Sequence, residues 1–211
     1  MTAVGRFLFG GILMENLTKK QKVRRLAESA IMLALATILS ELAVIKFPFG
    51  GSVTVFSQVP VVVISYRYGI KWGAFTGLVM GAIQMFFGMG NFAYVSGIFA
   101  YLVLIFADYI IAFGALGLGG MFKGKIKNDG LAIAVGGAVV SLIRFLCHFI
   151  SGVTIWGDYS NGAKGVWLYS LEYNMGYMLP ETIVTVIGCM VIGAMFDLNS
   201  PEIRTKIKKN K

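Results

Sequence analysis

The sequence LAIAVGGAVVSLIRFLCHFISGVTI, residues Leu131–Ile155, is a run of mostly small and apolar side chains that Arg144 and His148 interrupt. A helix needs about 20 predominantly apolar residues to cross a hydrocarbon core of about 30 Å. This stretch is long enough, so it predicts a transmembrane helix. Ionisable groups inside such helices are rare and mark functional sites. Arg144 and His148 therefore mark a candidate functional site.

The composition of the whole chain points the same way. Of the 211 residues, 57% are hydrophobic and 14% are charged, and the mean hydropathy is +0.76. Soluble domains contain about 25% charged residues. The composition therefore predicts a polytopic membrane protein and excludes a cytosolic enzyme, a secreted disulfide scaffold and a disordered chain. Cys147 and Cys189 lie in apolar stretches, where cysteine is a small core residue.

Five more apolar stretches complete a prediction of six transmembrane helices in an all-α bundle. The expected spans are Leu26–Ile45, Val53–Tyr66, Ile70–Phe87, Phe92–Leu118, Leu131–Ile155 and Tyr169–Phe196. The second span is short and carries Gln58 and Pro60, so it is the weakest member of the set. We expect three regions: a cytoplasmic segment 1–25, a membrane domain 26–196 and a basic cytoplasmic tail 197–211.

The distribution of basic residues predicts the orientation. The net charge is +9, and sixteen of the 19 basic residues fall on one side of the six-span arrangement. These residues are Arg6, Lys19, Lys20, Lys22, Arg24, Arg25, Arg67, Lys71, Lys123, Lys125, Lys127, Arg204, Lys206, Lys208, Lys209 and Lys211. Only Lys46 and Lys164 fall in loops on the opposite side. Cytoplasmic loops are enriched in lysine and arginine, so both termini are predicted to be cytoplasmic. The positive charge therefore indicates membrane orientation and no nucleic-acid partner.

Two segments outside the spans carry further expectations. The apolar patch Phe7–Leu13 is too short to span and lacks the cleavage motif of a signal peptide. Residues 1–13 are accordingly either disordered or lie before a true start at Met14. The longest loop, Gly157–Leu168, is expected on the external side, and long loops of compact proteins tend to be functional. We interpret this loop as a lid.

Several kinds of chemistry have no motif in the sequence. It contains no GxxxxGK[ST] phosphate loop, no HExxH and no GxSxG, and it has one histidine. No inverted repeat is evident, and 211 residues are few for a self-sufficient secondary transporter. We therefore expect no enzyme activity and no cofactor. If the protein moves a solute, a partner supplies the energy.

Small residues follow two predicted helix faces. Gly69, Gly73, Gly77 and Gly81 recur at every fourth position of span three. Small residues let helix backbones approach closely in a bilayer, and here we favour packing within the chain. Ala30 and Ala34 on span one have the same spacing. For these the two interpretations are ordinary packing and docking of a partner protein, and we favour docking.

Polar side chains inside spans four, five and six suggest one site. Arg144 and His148 share a helix face because they are four residues apart, and Asp108 lies beside Tyr109 in span four. The polar face of span six contains Asn174, Tyr177 and Glu181, and nearby aromatic residues are Trp156, Tyr159, Trp167, Tyr169 and Tyr173. A purely structural alternative is an ion pair between Asp108 and Arg144. Polar groups below aromatic faces also form sites for flat, partly cationic small molecules, which is the interpretation we favour.

The stretch RFLCHFISGVTIWGDYSNGAKGVWLYSLEYN, Arg144–Asn174, closely resembles the signature of the thiamine-specific S component of energy-coupling factor (ECF) transporters. In that family a basic residue stands four positions before a histidine, and an aromatic residue, a KG-containing loop and the pattern YSLxxN follow in that order. Phe47–Gly69 resembles the loop and short second helix of that family, and Asp108-Tyr109 its acid–tyrosine pair. The resemblance extends from about Leu26 to Phe196.

This resemblance implies a six-helix plasma-membrane subunit that binds thiamine from outside and works with a transmembrane coupling subunit and two ATPase subunits. The bound subunit is thought to topple in the membrane to release its vitamin inside. The family's AxxxA docking motif corresponds to Ala30 and Ala34. The implied thiamine-binding residues are Asp108, Tyr109, Arg144, His148, Trp156, Tyr169, Asn174 and Tyr94.

Thiamine chemistry agrees with these residue types. The thiazolium is a permanent cation, for which Asp108 offers a counter-charge, and an amide such as Asn174 matches the donor and acceptor edge of the aminopyrimidine. Some members carry glutamate at the position of Asp108 and lysine at the position of Arg144. These residues keep the charge, but their side chains differ in length, and lysine lacks the planar, forked donor group of arginine. Some carry a tryptophan in the first external loop, where this chain reads Phe49-Gly50-Gly51-Ser52.

Three other functions are alternatives to thiamine binding. An S component for another flat vitamin, such as riboflavin or a thiamine precursor, would use the same scaffold without needing the charge of Asp108. An intramembrane enzyme using His148 and Asp108 is disfavoured because no nucleophile or metal set accompanies them. A purely structural subunit would carry no small molecule when purified.

Overall fold

The computed structural model describes residues 17–160 and 165–206, and within them the chain forms six helices. These are α1 (Lys19–Glu41), α2 (Val59–Tyr68), α3 (Ile70–Phe87), α4 (Ile98–Leu118), α5 (Asp129–Ile155) and α6 (Val166–Met195). Short 3₁₀ turns occur at Pro48–Gly50, Met89–Tyr94 and Gly157–Ser160. The expectations for residues 1–13, Met14, Lys164 and the tail beyond Lys206 concern parts of the chain outside these described ranges.

Four of these helices are long and apolar enough to cross a membrane. They are α3, α4, α5 and α6, with mean hydropathies of 1.3, 2.2, 2.1 and 1.8. The α3 bounds coincide with the predicted third span, and α5 and α6 begin two and three residues before the predicted spans. α4 begins at Ile98 instead of Phe92, because Met89–Tyr94 forms a separate 3₁₀ turn.

The first helix ends earlier than predicted. α1 stops at Glu41, and the residues that follow form a small antiparallel hairpin of β1 (Ala43–Lys46) and β2 (Ser52–Thr54). The expectation of helix up to Ile45 and from Val53 onwards was therefore wrong, although the fold is mostly helical as predicted. The cause is local: β-branched Val44 and Ile45 fit a pleated strand.

Helix α2 is short but occupies the centre of the bundle. Its 10 residues rise only about 15 Å. Pro60 stands in its first turn, where its missing N–H costs nothing. Every residue from Val59 to Tyr66 is buried, which explains why this stretch is apolar on all faces.

The end of the chain folds back against the bundle. β3 (Phe196–Asp197) pairs with β4 (Arg204–Thr205), and Leu198 is buried between them and the helices. The Arg67 guanidinium at the end of α2 donates to the carbonyls of Leu198, Ser200 and Pro201 and forms an ion pair of 3.0 Å with Glu28 of α1. Residues 197–206 of the predicted tail are thus part of the packed structure.

Helix α4 changes its winding in the middle. It is α-helical at Ile98–Val103, a π-helix at Leu104–Ile111, and tightens to a 3₁₀ turn at Ala115–Leu118. Segments of π-helix inside membrane helices occur frequently at functional sites. The π-helical segment contains Asp108 and Tyr109, so the backbone irregularity coincides with the predicted acid–tyrosine pair.

Candidate ligand-binding site

A cavity of about 350 Å³ lies between the β1–β2 hairpin and helices α4, α5 and α6. This volume is at the lower end of the range for small-molecule sites. Seven of the eight residues that the sequence predicted line its wall, namely Asp108, Tyr109, Arg144, His148, Trp156, Tyr169 and Asn174. Tyr94 does not line the cavity. The fold therefore gathers the predicted residues from three helices into one place.

Asp108 is held by two groups of α5. Its Oδ1 lies 2.9 Å from His148 Nδ1, and its Oδ2 accepts a hydrogen bond of 2.6 Å from the Ser151 hydroxyl. Ser151 was missed by the sequence reasoning, although its position three residues after His148 places it on the same helix face. The arrangement fixes the carboxylate at the cavity wall and leaves it acceptor capacity for a ligand.

The partner of Asp108 determines what His148 can offer. A carboxylate only accepts hydrogen bonds, so the fitting tautomer of His148 carries its proton on Nδ1 and donates a hydrogen bond to Asp108. In a neutral ring Nε2 then carries a lone pair. Nε2 is buried and has no hydrogen-bond partner among the described residues. An unpaired buried acceptor is costly. His148 therefore lines the cavity with its ring and carries an unpaired buried nitrogen, Nε2.

Arg144 does not form the ion pair with Asp108 that the structural alternative requires. Throughout residues 17–160 and 165–206, no carboxylate oxygen lies within 4.0 Å of its guanidinium. The guanidinium stacks instead over the Phe113 ring, 4.4 Å from its centroid, and its Nε is buried without a hydrogen bond. The alternative that Asp108 and Arg144 simply join two helices is therefore wrong. A cation over an aromatic face is stabilised by the ring quadrupole and keeps its outer N–H groups free.

Asn174 uses most of its hydrogen-bonding capacity within the protein. Its Nδ2 donates to the carbonyls of Ser170 (2.8 Å) and His148 (3.3 Å), and its Oδ1 accepts from the Tyr177 hydroxyl at 2.8 Å. These bonds join α5 to α6 below the cavity. One lone pair of Oδ1 remains for a ligand.

Tyr109 faces the turn between α3 and α4. Its hydroxyl donates to the Gly88 carbonyl (3.2 Å) and accepts from Asn91 Nδ2 (3.1 Å), and its ring stacks on Phe92 with an interplanar angle of 7°. The ring is buried and forms part of the cavity wall. Tyr109 therefore fixes the turn over one side of the cavity.

Aromatic rings close the mouth of the cavity. Phe49 of the hairpin lies at the centre of this cluster, with ring centroids 4.5 Å from Tyr159, 5.3 Å from Tyr94 and 5.6 Å from Trp156. Phe49 adopts a φ of 60°, which is uncommon for residues other than glycine. Sequence reasoning did not select it, because the first loop lacks a tryptophan. Tyr94 thus contacts Phe49, which lines the cavity, but does not line the cavity itself.

The remaining aromatic residues divide between the cavity and the surface. Tyr169 lines the cavity and stacks on Tyr173, whose hydroxyl bonds the hairpin backbone at Pro48 and Gly51. Trp167 is 67% exposed and packs on Phe149 outside the cavity. Trp167 is therefore a surface aromatic residue.

The donor set suits an organic cation better than a metal. In the described part of the chain, no group of three histidine, cysteine, aspartate or glutamate side chains converges as metal ligands. The cavity wall offers two carboxylates, Glu41 and Asp108, together with the His148 imidazole and several ring faces. These groups match a flat molecule with a positive charge and polar edges.

Known proteins resemble this chain in sequence and in fold. The model of the thiamine transporter protein family (Thia_YuaJ) matches residues 26–199. Thiamine transporter ThiT of Bacillus subtilis is 32% identical over 198 residues, which cover 89% of this chain and 97% of that protein. ThiT of Lacticaseibacillus paracasei is 30% identical over 151 residues, 66% of this chain and 71% of that protein. A solved structure of ThiT from Listeria monocytogenes has a similar fold, with a TM-score of 0.67, 22% identity and coverage of 82% of this chain and 94% of that one.

Proposed function

Because the chain belongs to the thiamine transporter protein family, we propose that it is the thiamine-binding subunit of an ECF-type vitamin importer. The family is one of membrane transport proteins and not of enzymes. The observation that carries the proposal is the cavity, because Asp108, His148 and Trp156 all line the space in which thiamine would be enclosed.

Each part of thiamine has a suitable group in the cavity wall. The thiazolium cannot lose its charge, so a buried site needs a fixed counter-charge, which Asp108 supplies. The amine of the aminopyrimidine can donate to the unpaired Nε2 of His148, and its ring edge can reach the open lone pair of Asn174 Oδ1. Trp156 and Tyr169 offer ring faces for stacking.

Arg144 and Tyr109 have supporting roles in this proposal. Arg144 is held over Phe113 with its outer N–H groups at the cavity wall, so it suits the hydroxyethyl oxygen and not the thiazolium. Tyr109 closes the side of the cavity through its bonds to the α3–α4 turn. Tyr94 acts through the aromatic cluster at the mouth, since it does not line the cavity.

The proposed subunit has six spans with both termini in the cytoplasm. α1 and the short α2 bring the four long apolar helices to six spans. The basic residues of the α2–α3 and α4–α5 loops and of both termini support this orientation. In this arrangement the membrane domain is 26–196, flanked by cytoplasmic residues 1–25 and 197–211. Reporter fusions after Lys127 and Lys211 should both read cytoplasmic. An external reading at the C-terminus would exclude the six-span arrangement.

The proposed contact with the coupling subunit is the outer face of α1. Ala30 and Ala34 are exposed on that helix, as is Ala27 one turn before. A face of small residues that no helix of the same chain covers permits close approach of a partner helix. The transmembrane coupling subunit and its two ATPase subunits would supply the energy, since the sequence contains no phosphate-binding loop.

The decisive experiment is to purify the subunit in detergent and identify any bound small molecule by mass spectrometry. Calorimetry should then show thiamine binding to the emptied protein at a stoichiometry of one. Riboflavin and a hydroxymethylpyrimidine should compete poorly. Tight binding of either in place of thiamine would identify an S component for another vitamin, and the absence of any small-molecule binding would indicate a structural subunit.

A further inference from the structure

Helix α6 contacts the hairpin region at three successive turns of one face. The Tyr173 hydroxyl bonds the backbone at Pro48 and Gly51, and the Tyr177 ring packs 6.0 Å from Phe47. One turn further, Glu181 contacts residues 54–57, which follow the hairpin and lead into α2. Residues four apart lie on one helix face. The hairpin and the residues that follow it, together residues 43–57, therefore contact a single face of α6.

Glu181 makes the most extensive of these contacts. Its Oε2 accepts a hydrogen bond of 2.7 Å from the backbone N–H of Thr54. Its Oε1 lies 2.7 Å from the Thr54 hydroxyl and 3.0 Å from the Ser57 hydroxyl, and those two hydroxyls are 2.6 Å apart. Hydrogen bonds to a carboxylate are roughly twice as strong as those between neutral groups.

Glu181 is close enough to Arg144 of α5 for their opposite charges to attract each other, but its direct contacts are with another segment. The residue is 3% exposed, and no lysine, arginine or histidine nitrogen of the described ranges lies within 4.0 Å of its carboxylate. It is not part of the cavity wall. A buried carboxylate is costly unless it is hydrogen-bonded. The groups of the described residues that lie within hydrogen-bonding distance of Glu181 all belong to residues 54–57, and they are the Thr54 N–H and the Thr54 and Ser57 hydroxyls.

We propose that Glu181 is a positioning residue that fixes the hairpin over the cavity and thereby sets how long a bound molecule is retained. This inference rests on the proposed function only in naming thiamine as that molecule. The hairpin supplies seven of the cavity-lining residues, including Phe49 at the mouth. Fixing its β2 end to α6 orders this wall before the ligand arrives, which lowers the entropy cost of closure.

The first test measures the hairpin without any ligand. Hydrogen exchange of the ligand-free protein in detergent is followed by mass spectrometry for wild type and Glu181→Gln. The substitution keeps the size of the side chain but replaces one acceptor oxygen with a donor. Peptides covering residues 43–57 should exchange faster in the variant, while peptides of α5 stay unchanged. Equal exchange at 43–57 in both proteins, or acceleration throughout the molecule, would overturn the proposal.

The second test measures retention of thiamine. We expect Glu181→Gln to raise the dissociation rate roughly tenfold, the effect of losing a hydrogen bond to a charged group. Ser57→Ala removes one donor from the other side of the contact and should act in the same direction, but less strongly. Thr185→Val is the matched control, because Thr185 is as buried as Glu181, one turn along α6, and its hydroxyl has no hydrogen-bond partner among the described residues.

The outcomes separate this inference from the proposed function. If wild type binds no thiamine, the function is wrong, but the exchange experiment still tests the role of Glu181. If Glu181→Gln and Thr185→Val change the dissociation rate equally, Glu181 contributes only general stability and the positioning role is wrong.

Discussion

Two helix faces of this protein carry small residues at the same four-residue spacing but lie in opposite environments. On α3, Gly73, Gly77 and Gly81 face inward against α4, and on α1, Ala30 and Ala34 face outward. A Cβ added at Gly77 would lie 2.5 Å from the Phe113 carbonyl oxygen. The comparison shows that spacing identifies a face suited to close approach, whereas the neighbouring helix determines whether that face is already occupied.

The inward face also supports the site. A Cβ at Gly81 would lie 2.7 Å from the carbonyl oxygen of Tyr109, in the π-helical segment that carries Asp108. Gly69, the fourth glycine of the predicted row, lies outside this contact. It precedes α3, has a φ of +88°, and no atom lies within 4 Å of its added Cβ. Gly69 therefore permits the turn between α2 and α3 instead of packing.

The largest effect should follow from Asp108→Asn, at the site that the inward face supports. Removing one charge of a buried hydrogen-bonded pair costs about 2–5 kcal/mol. That corresponds to roughly 30- to 4,000-fold weaker thiamine binding, measured by calorimetry. A neutral thiamine analogue should bind wild type less well than thiamine does, and the variant should reduce that difference. A folded variant that binds thiamine within about threefold of wild type would reduce Asp108 to a structural partner of His148 and Ser151.

Next in size is Gly77→Leu, which tests the inward face directly. The new side chain meets backbone atoms of α4 that cannot move aside. Overpacking of this kind costs about 1–3 kcal/mol and occasionally more. We expect a lower thermal midpoint in detergent by circular dichroism and a smaller folded fraction in size-exclusion chromatography. An unchanged midpoint would mean that α3 and α4 are not in close contact.

A smaller effect is expected at the mouth of the cavity. Trp156→Ala should weaken thiamine binding by about 1–3 kcal/mol, taking stacking of bases on aromatic side chains as the guide. Thiamine should quench the fluorescence of wild type but not that of this variant. Trp72 is buried on α3 away from the cavity and serves as the internal control. Quenching that survives Trp156→Ala would place the ligand elsewhere.

The smallest effect on the purified subunit should come from Ala34→Leu on the outward face. No helix of the described chain covers this position, so the free energies of thiamine binding and of unfolding should each change by less than about 0.5 kcal/mol. Thiamine uptake by cells should nevertheless be abolished, because the bulky side chain prevents close approach of the coupling subunit. Loss of binding together with uptake would show that the face is used for packing within the chain.

The comparison of the two faces also shows where sequence reasoning succeeded. The apolar stretches predicted helices α3, α5 and α6 to within three residues, because a chain in lipid must satisfy its backbone hydrogen bonds within each helix. The hairpin was missed because strand pairing of Ala43 with Thr54 depends on a contact that no helical periodicity reveals.

The site divides in the same way. The sequence by itself determined that the protein lies in the membrane and which polar side chains are carried into it, because burying such groups is expensive and few are tolerated. Only the tertiary structure decided their partners: Ser151 beside Asp108, Phe113 beneath Arg144, and Glu181 under the hairpin. Those pairings depend on the relative rotation and depth of neighbouring helices, and these are set by packing between distant parts of the chain.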